Sequence, residues 1–320
     1  MQKADEKALV LGIDIGGTKT KIGFFDKDKL IIQSHFPTPQ DPKPAASTLI
    51  EEIRKVPGID SGRLAGIGIG CPGPLSQEQG EVLSPPNLQK WDRFPIVRLL
   101  KEEFRVPVLL ENDGNAGALG EAVFGSGEGY ETVFYCTIST GIGIGIVING
   151  AVHQGHKGLA GETWAFEPEN YFGKSSGVNI LDRSAGNGIV RIAADVLARE
   201  KRGAARNASI SKIPEDEITT RTILAALESG DEVAVEVIEQ ARDILAGMLV
   251  NAMTLLAPDI VVLAGGLCTD PSWYVDPIIE RVRTWMPIRE LADTPIKRAE
   301  LWDSAVLYGA VAMVEQVLFM

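Results

Sequence analysis

Three short segments combine residue types at spacings that suit phosphate and hydroxyl chemistry. The first is Asp14-Ile15-Gly16-Gly17-Thr18-Lys19-Thr20, closing the apolar run Ala8 to Ile15. Glycines let backbone N–H groups approach phosphate oxygens, and a hydroxyl beside a carboxylate can hold phosphate and, through water, Mg²⁺. It is not a P-loop, since no helix is expected after it and the G-x-x-x-x-G-K-[ST] spacing is absent. Taken alone, Gly-Gly after a strand reads as a plain hairpin turn, a reading weakened by the Asp before it and the Thr after it. The second segment, Ser139-Thr140-Gly141-Ile142-Gly143-Ile144-Gly145, alternates glycine along a strand. That pattern admits a close ligand, and equally a tightly packed hairpin. In the third, Glu111-Asn112-Asp113-Gly114-Asn115-Ala116, a carboxylate at a strand-to-helix junction can accept the proton of a hydroxyl attacking a γ-phosphorus. Its bland alternative is a helix N-cap, and Asp113 stands where an N-cap belongs. Gly161-Glu162 adds a carboxylate able to bind two hydroxyls.

The elements that must position these groups follow from the apolar pattern. Strand, tight turn, strand, turn and strand are expected across Ala8 to Ser34, then a helix over Ala45 to Lys55 and a glycine-interrupted strand over Leu64 to Gly70. Further on come a helix at Ile96 to Phe104, a strand at Val106 to Glu111 and a helix to about Phe124. Strands Thr132 to Ile138 and Ile142 to Ile148 follow, the latter ending in the hairpin signal Asn149-Gly150. Helical patterns run from Val178 to Arg202, interrupted by Gly186 and Gly188, and Gly203 to Thr220 reads as a surface loop. Asp231 to Leu256 is the longest amphipathic candidate, with Val233, Val237, Ile244, Leu245 and Met248 on one stripe and Pro258 as its stop. The strand Ile260 to Ala264 leads into Gly265-Gly266, and Ala305 to Leu318 makes a closing helix. Each half thus begins with an apolar strand turning on a Gly-rich, Thr-containing loop, and two such loops facing one another would make a nucleotide cleft.

The chain has 320 residues, 45% apolar and 23% charged, enough for two packed cores. A formal charge of -12 argues against a surface built to grip nucleic acid or an anionic membrane. Cys71, Cys136 and Cys268 lie apart in apolar surroundings and read as small core residues. With no C-x-x-C spacing and no pairing for all three, a reducing cytoplasm is the expected compartment. The charged start MQKADEKALV lacks a leader's apolar region, and no apolar run approaches a bilayer's span.

Together the segments resemble the ROK family (repressor, open reading frame, kinase), sugar kinases of the actin-like ATPase superfamily. LGIDIGGTKTKIG resembles the family's first phosphate loop, GIGIGCPGPL and SPPNL its sugar-side loops, and LLENDGNAGALGEAVFG its most specific segment. TISTGIGIGIVING is similar to the second phosphate loop, and APDIVVLAGGL and SAVLYGAVAM to the adenosine region and closing helix. The resemblance implies an α/β, two-lobed actin-like ATPase (ribonuclease H-like) fold, each lobe a mixed sheet flanked by helices, with the active site in the cleft. The small lobe would take residues 1–113 and 304–320, and the large lobe, with the oligomer surface, 114–303. It further implies phosphorylation of a hexose hydroxyl by ATP with Mg²⁺, glucose to glucose 6-phosphate at the entry to glycolysis. Asp113 would be the catalytic base. Asn87, Asn112, Asp113, Glu162 and Asp182 would bind the sugar, and Asp14 would sit near the metal, through water. Asp14, Gly16, Gly17, Thr18, Lys19, Thr140, Gly141, Gly265 and Gly266 would bind ATP. A homodimer is the implied assembly.

The chain also departs from that pattern. Most bacterial members continue the Glu162 segment as G-E-x-G-H and then carry C-x-C-G-x-x-G-C-x-E. Here Glu162 is followed by Thr163-Trp164-Ala165-Phe166, and the later stretch, Phe172 to Asp182, holds no Cys or His. No zinc site is therefore expected, since tetrahedral Zn²⁺ needs four N, S or O ligands and this segment offers only carboxylates. His153 and His156 are assigned to the hairpin and its loop. Asp182 replaces a Glu, one methylene shorter. Trp164, Phe166, Tyr171 and Phe172 would order the segment in place of zinc, or else line ordinary core. The alternatives in substrate are N-acetylmannosamine and N-acetylglucosamine, and polyphosphate stands as the alternative donor. A sugar-sensing regulator is the alternative of another class, for which a helix-turn-helix is expected ahead of Asp14 and only about ten residues are present. A chaperone-like or filament-forming ATPase on the same fold would have no use for Asn112-Asp113.

Overall fold

A computed structural model of the protein describes residues 9–56, 59, 62–162, 181–200, 209–270 and 273–319. Two five-stranded sheets dominate it. The first has the order β3-β2-β1-β4-β7, built from β1 (Leu9–Ile15), β2 (Lys19–Asp26), β3 (Lys29–Pro37), β4 (Leu64–Cys71) and β7 (Val108–Asn112). The β1–β2 and β2–β3 pairs are antiparallel, whereas β1–β4 and β4–β7 are parallel. A small hairpin of β5 (Leu75–Ser76) and β6 (Glu81–Val82) stands apart from it. The second sheet has the order β10-β9-β8-β11-β12, from β8 (Thr132–Ile138), β9 (Ile142–Ile148), β10 (Ala151–Val152), β11 (Ile260–Ala264) and β12 (Ile296–Arg298).

The chain divides into two compact units. One comprises 1–135, 145–160 and 299–320, the other 136–144 and 161–298. The lobe boundaries expected from the sequence lie at 113/114 and 303/304. The difference comes from α3 (Asp113–Phe124), which packs closely along α10 (Ala305–Phe319) and so stays with the first unit.

In the first unit the period-two alternation of β1 sends side chains to both faces of the sheet. Leu11, Ile13 and Ile15 join Ile67 and Ile69 of β4 under α1 (Pro42–Arg54) and α2 (Ile96–Phe104), whose Leu49, Ile53, Ile96 and Leu100 are buried there. On the opposite face Val10 and Phe25 meet Leu307, Val311 and Val314 of α10. The glycines that interrupt β4 have a packing cause: a Cβ at Gly68 would collide with the carbonyl of Ala310, so the strand is bare where the helix lies on it.

The second unit is largely helical: α4 (Leu181–Ser184), α5 (Gly186–Glu200), α6 (Thr220–Glu228), α7 (Glu232–Leu256), α8 (Val275–Trp285) and α9 (Arg289–Ala292). Of the expected α7 stripe, Val233, Val237, Leu245 and Met248 are buried, while Ile244 is half-buried. Asp231 caps the helix, accepting from the N–H groups of Val233 and Ala234 through Oδ1 and from Ser209 Oγ and Ile210 N through Oδ2. Gly188 lies inside α5 rather than interrupting it. Cys71, Cys136 and Cys268 are buried free thiols. Among the described residues, no helix is long and apolar enough to cross a membrane.

Candidate functional site

The register of the first sheet brings the predicted residues of the first unit to one edge. Asp14 pairs with Gly70, Gly70 with Glu111, and Cys71 with Asn112, so β1, β4 and β7 end side by side. With neighbouring strands about 4.8 Å apart, Asp14 and Glu111 stand roughly 10 Å apart across that edge. Ligands of open α/β sheets collect at such carboxyl ends of parallel strands. The Cys71 thiol between them is pushed well up by burial and by the carboxylates of Asp113 and Asp14.

The turn after Asp14 leads from β1 directly into β2, with no helix after it, as expected from the absence of P-loop spacing. Its carbonyls are tied back: Thr38 Oγ1 donates to Gly16 O at 2.7 Å, Gln40 Nε2 to Gly17 O at 2.9 Å, and Thr38 N to Thr18 O at 2.9 Å. With those oxygens engaged, the amide side of the turn is the one that can meet an anion. A Cβ on Gly17 would lie 2.6 Å from Asn87 Cβ, so the glycine is what lets the Pro85–Leu88 loop sit on this turn. Asn87 itself is exposed, and the buried Leu88 and Trp91 that follow it anchor its loop, the Trp91 Nε1 donating to Pro39 O.

Charge around Asp14 is concentrated. Lys21 Nζ lies 3.1 Å from Asp14 Oδ2 and 2.7 Å from Asp303 Oδ1, and it donates to Asp303 O at 2.6 Å; Lys19 is 3.7 Å from Asp303 Oδ2. Burial raises the Asp14 carboxyl above its ordinary value despite Lys21 beside it. Burial pulls the Lys21 ammonium down, but Asp14 and Asp303 outweigh it and hold it up. Burial likewise pushes Asp303 up, and its bond to Lys21 more than reverses that. With one Asp14 oxygen already bonded to an ammonium, the arrangement fits contact with Mg²⁺ through water, since Mg²⁺ keeps several waters and takes few protein ligands.

At the far side of the edge the capping task differs from expectation. Asn112, not Asp113, is the N-cap of α3, its Oδ1 accepting from Gly114 N at 2.9 Å and Asn115 N at 3.4 Å. Asp113 is the first helical residue, half-buried, with Oδ1 accepting from Gly114 N at 2.9 Å. Because Asn112 does the capping, Asp113 is not explained as a cap. The carboxylate before it, Glu111, is buried and takes four hydrogen bonds, from Asn112 N, Gln77, Asn115 and Gln154.

The second unit brings together the other predicted nucleotide residues. Thr140 and Gly141 form the turn between β8 and β9, closed by Ser139 N donating to Gly141 O at 2.8 Å. The start of α5 sits on this turn: Gly186 N donates to Ser139 O at 2.8 Å and Asn187 N to Thr140 O at 3.4 Å. Gly265 follows the adjacent strand β11 at φ 91° and packs against Ile138, at the end of β8, and Gly266 opens the short helix Gly266–Cys268. Glu162 is exposed, after Gly161, which packs against Ile144. Asp182 is placed by its backbone in α4. The expected aromatic cluster at Trp164, Phe166, Tyr171 and Phe172, and the stretch where relatives carry zinc ligands, lie outside the described residues. Among the described residues no three His, Cys, Asp or Glu side chains group as a metal site.

Lys21, Asp303, Thr38, Gln40, Gln77 and Gln154 carry no motif and were missed from sequence. Gln77 and Gln154 stand 34 and 43 positions from the carboxylate they bond, so only the fold pairs them. Glu111 had a signal, a carboxylate ending the apolar run Val108 to Leu110.

A family model described as the ROK family matches residues 10–317, and the chain belongs to that family. A glucokinase of Streptomyces coelicolor is 28% identical over 316 residues, spanning 96% of this chain and 98% of its own. A xylose repressor of Caldicellulosiruptor bescii is 29% identical over 271 residues, 83% of this chain and 66% of its own. Among solved structures, a ROK hexokinase from Thermus thermophilus aligns with TM-score 0.81 at 30% identity, covering 97% of this chain and 99% of that one. A ROK family glucokinase from Streptomyces griseus, in complex with glucose and AMPPNP, aligns with TM-score 0.74 at 27% identity over 97% and 100%. The fold is therefore the actin-like ATPase fold of ROK sugar kinases, with two sheets flanked by helices.

Proposed function

We propose that this ROK-family sugar kinase transfers the γ-phosphoryl group of ATP to a hydroxyl of a hexose, with glucose as the substrate. The observation that carries the reading is the shared edge of β1, β4 and β7, where the Asp14 turn follows β1 and Asp113 follows β7, on either side of the end of β4. In the step proposed, a sugar hydroxyl oxygen bonds to the γ-phosphorus as the bridging P–O bond to the β-phosphate breaks and ADP leaves. Asp113 takes the hydroxyl proton. Asn112 can donate through its Nδ2 to the sugar, since its Oδ1 is occupied by the cap. Gly16, Gly17 and Thr18 offer amides to phosphate, Lys19 adds positive charge, and Thr140, Gly141, Gly265 and Gly266 are assigned to ATP binding. Mg²⁺, held through water at Asp14, would neutralise charge on the phosphates. Asn87, Glu162 and Asp182 are assigned to the sugar. The same reading has the protein working in the cytoplasm as a homodimer.

The test is ADP release measured against a panel of hexoses and N-acetylhexosamines, with ATP and polyphosphate as donors. Glucose with ATP is expected to give the highest kcat/KM. A preference for N-acetylmannosamine or N-acetylglucosamine would reassign the substrate. Sugar binding without any phosphoryl transfer would make the protein a sensor instead.

A further inference from the structure

We infer that Glu111 is a positioning residue for the sugar side of the site, the hub that fixes Asn112-Asp113 and two distant loops relative to one another; the inference rests on the kinase reading. Glu111 is 3% exposed. A carboxylate buried to that degree is tolerated only when its lone pairs are filled. Oε1 accepts from Asn112 N at 2.8 Å, Gln77 Nε2 at 2.7 Å and Asn115 Nδ2 at 3.0 Å, and Oε2 accepts from Gln154 Nε2 at 2.8 Å. Each bond is charge-assisted, the stronger kind.

What the four donors have in common is their location. The bond from Asn112 N fixes the peptide that sets the direction of Asp113. Gln77 belongs to the turn of the β5–β6 hairpin, in the chain between the Cys71 end of β4 and the Asn87 loop. Asn115 lies in the first turn of α3. Gln154 opens the loop after β10 and is held at both ends, its side chain on Glu111 and its carbonyl accepting from Ala160 N at 3.0 Å. One carboxylate therefore sets three pieces of chain, the β7–α3 junction and the loops of Gln77 and Gln154, at the edge where the hydroxyl chemistry is proposed. The phosphate turn is held by another set of bonds, from Thr38 and Gln40, so the hub should govern sugar and not nucleotide.

The test uses the full-length protein with Gln154→Ala, Gln154→Glu and Gln77→Ala. These leave Glu111 in place and remove donors at the less buried end of the network. Sugar KM is expected to rise about tenfold for Gln154→Ala and further for Gln154→Glu, which sets an acceptor against the carboxylate, with KM for ATP within about twofold of wild type. Amide hydrogen exchange of residues 155–160 should quicken in both Gln154 variants. If both KM values rise together, or only thermal stability falls, Glu111 is a structural carboxylate and the inference is overturned. A raised sugar KM with unchanged exchange would mean that Gln154 touches the sugar itself, which also overturns the hub. Wild-type protein without sugar-dependent ADP release would remove the kinase reading and this inference with it, an outcome distinct from active wild type with unshifted variants.

Discussion

The two glycine turns assigned to phosphate are held in opposite ways. Around Gly16 to Thr18 side chains supply two of the tethers, Thr38 Oγ1 and Gln40 Nε2, beside main-chain bonds from Thr38 N to Thr18 O and from Gly16 N to Lys19 O, and a half-buried ion pair of Asp14 and Lys21 flanks them. Around Ser139 to Gly141 the bonds are main chain to main chain, from Ser139 N to the Gly141 carbonyl and from the first residues of α5 to the carbonyls of Ser139 and Thr140. A turn held by side chains can be loosened by one substitution, whereas one held by a helix start can be moved only with the helix. The first unit should accordingly be the one whose chemistry responds to point changes, and the second the one that tolerates them.

The largest expected effect tests that contrast at its strongest point. Asp113→Asn should retain sugar and ATP binding while kcat falls by about two to four orders of magnitude, the scale of a lost general base. Because Asn112 supplies the cap, the variant should keep α3 intact and melt within a few degrees of wild type. Turnover near wild type in the purified variant would leave the first unit without a proton acceptor at this edge and erase the contrast.

Much of this was legible before the structure. The strands Thr132–Ile138 and Ile142–Ile148 and the helix Ile96–Phe104 fall where periodicity put them. Asn149 and Gly150 take φ 51° and 75°, both positive as a two-residue hairpin turn requires. Cap identity was legible only to within one residue, because Asn112 and Asp113 are both good caps and only backbone geometry separates them. Helix α6 lacks the usual start signal because its capping box uses Thr222 in place of Glu or Gln, and α8 lacks one because no side chain caps it at Tyr274. Of the site, everything resting on residue type within one segment could be read. The Lys21–Asp303 pair could not, since 282 positions separate them and nothing local marks either residue.

A smaller effect is expected at the tether of the first turn. Thr38 is buried, and its hydroxyl bonds Thr20 Oγ1 at 2.8 Å as well as Gly16 O. Thr38→Val keeps the shape and removes both bonds, leaving Gly16 O unpaired while the Thr38 N to Thr18 O bond survives. KM for ATP should rise about three- to tenfold, equivalent to one lost hydrogen bond of roughly 1 kcal/mol, with sugar KM little changed. An unchanged KM for ATP would mean that the carbonyls of this turn need no tether.

The smallest effect belongs to the second turn. Thr220 Oγ1 donates to Gly186 O at 3.0 Å, the nearest side-chain bond to the residue whose N–H supports Ser139. Thr220→Val deletes that bond without touching the main-chain pair from Gly186 and Asn187 to the turn. The loss should appear as stability, about 1 kcal/mol or a fall in Tm of a few degrees, because one half-buried hydrogen bond has gone. KM for ATP should stay within about twofold, since α5 keeps its packing through buried Ile189, Ile192 and Val196 and so keeps its N-terminus on the turn. Steady-state kinetics with ATP varied at saturating sugar, beside a thermal melt, separates the two readouts. If Thr220→Val raises KM for ATP as much as Thr38→Val does, the second turn also depends on side-chain support, and main-chain anchoring no longer distinguishes the two units.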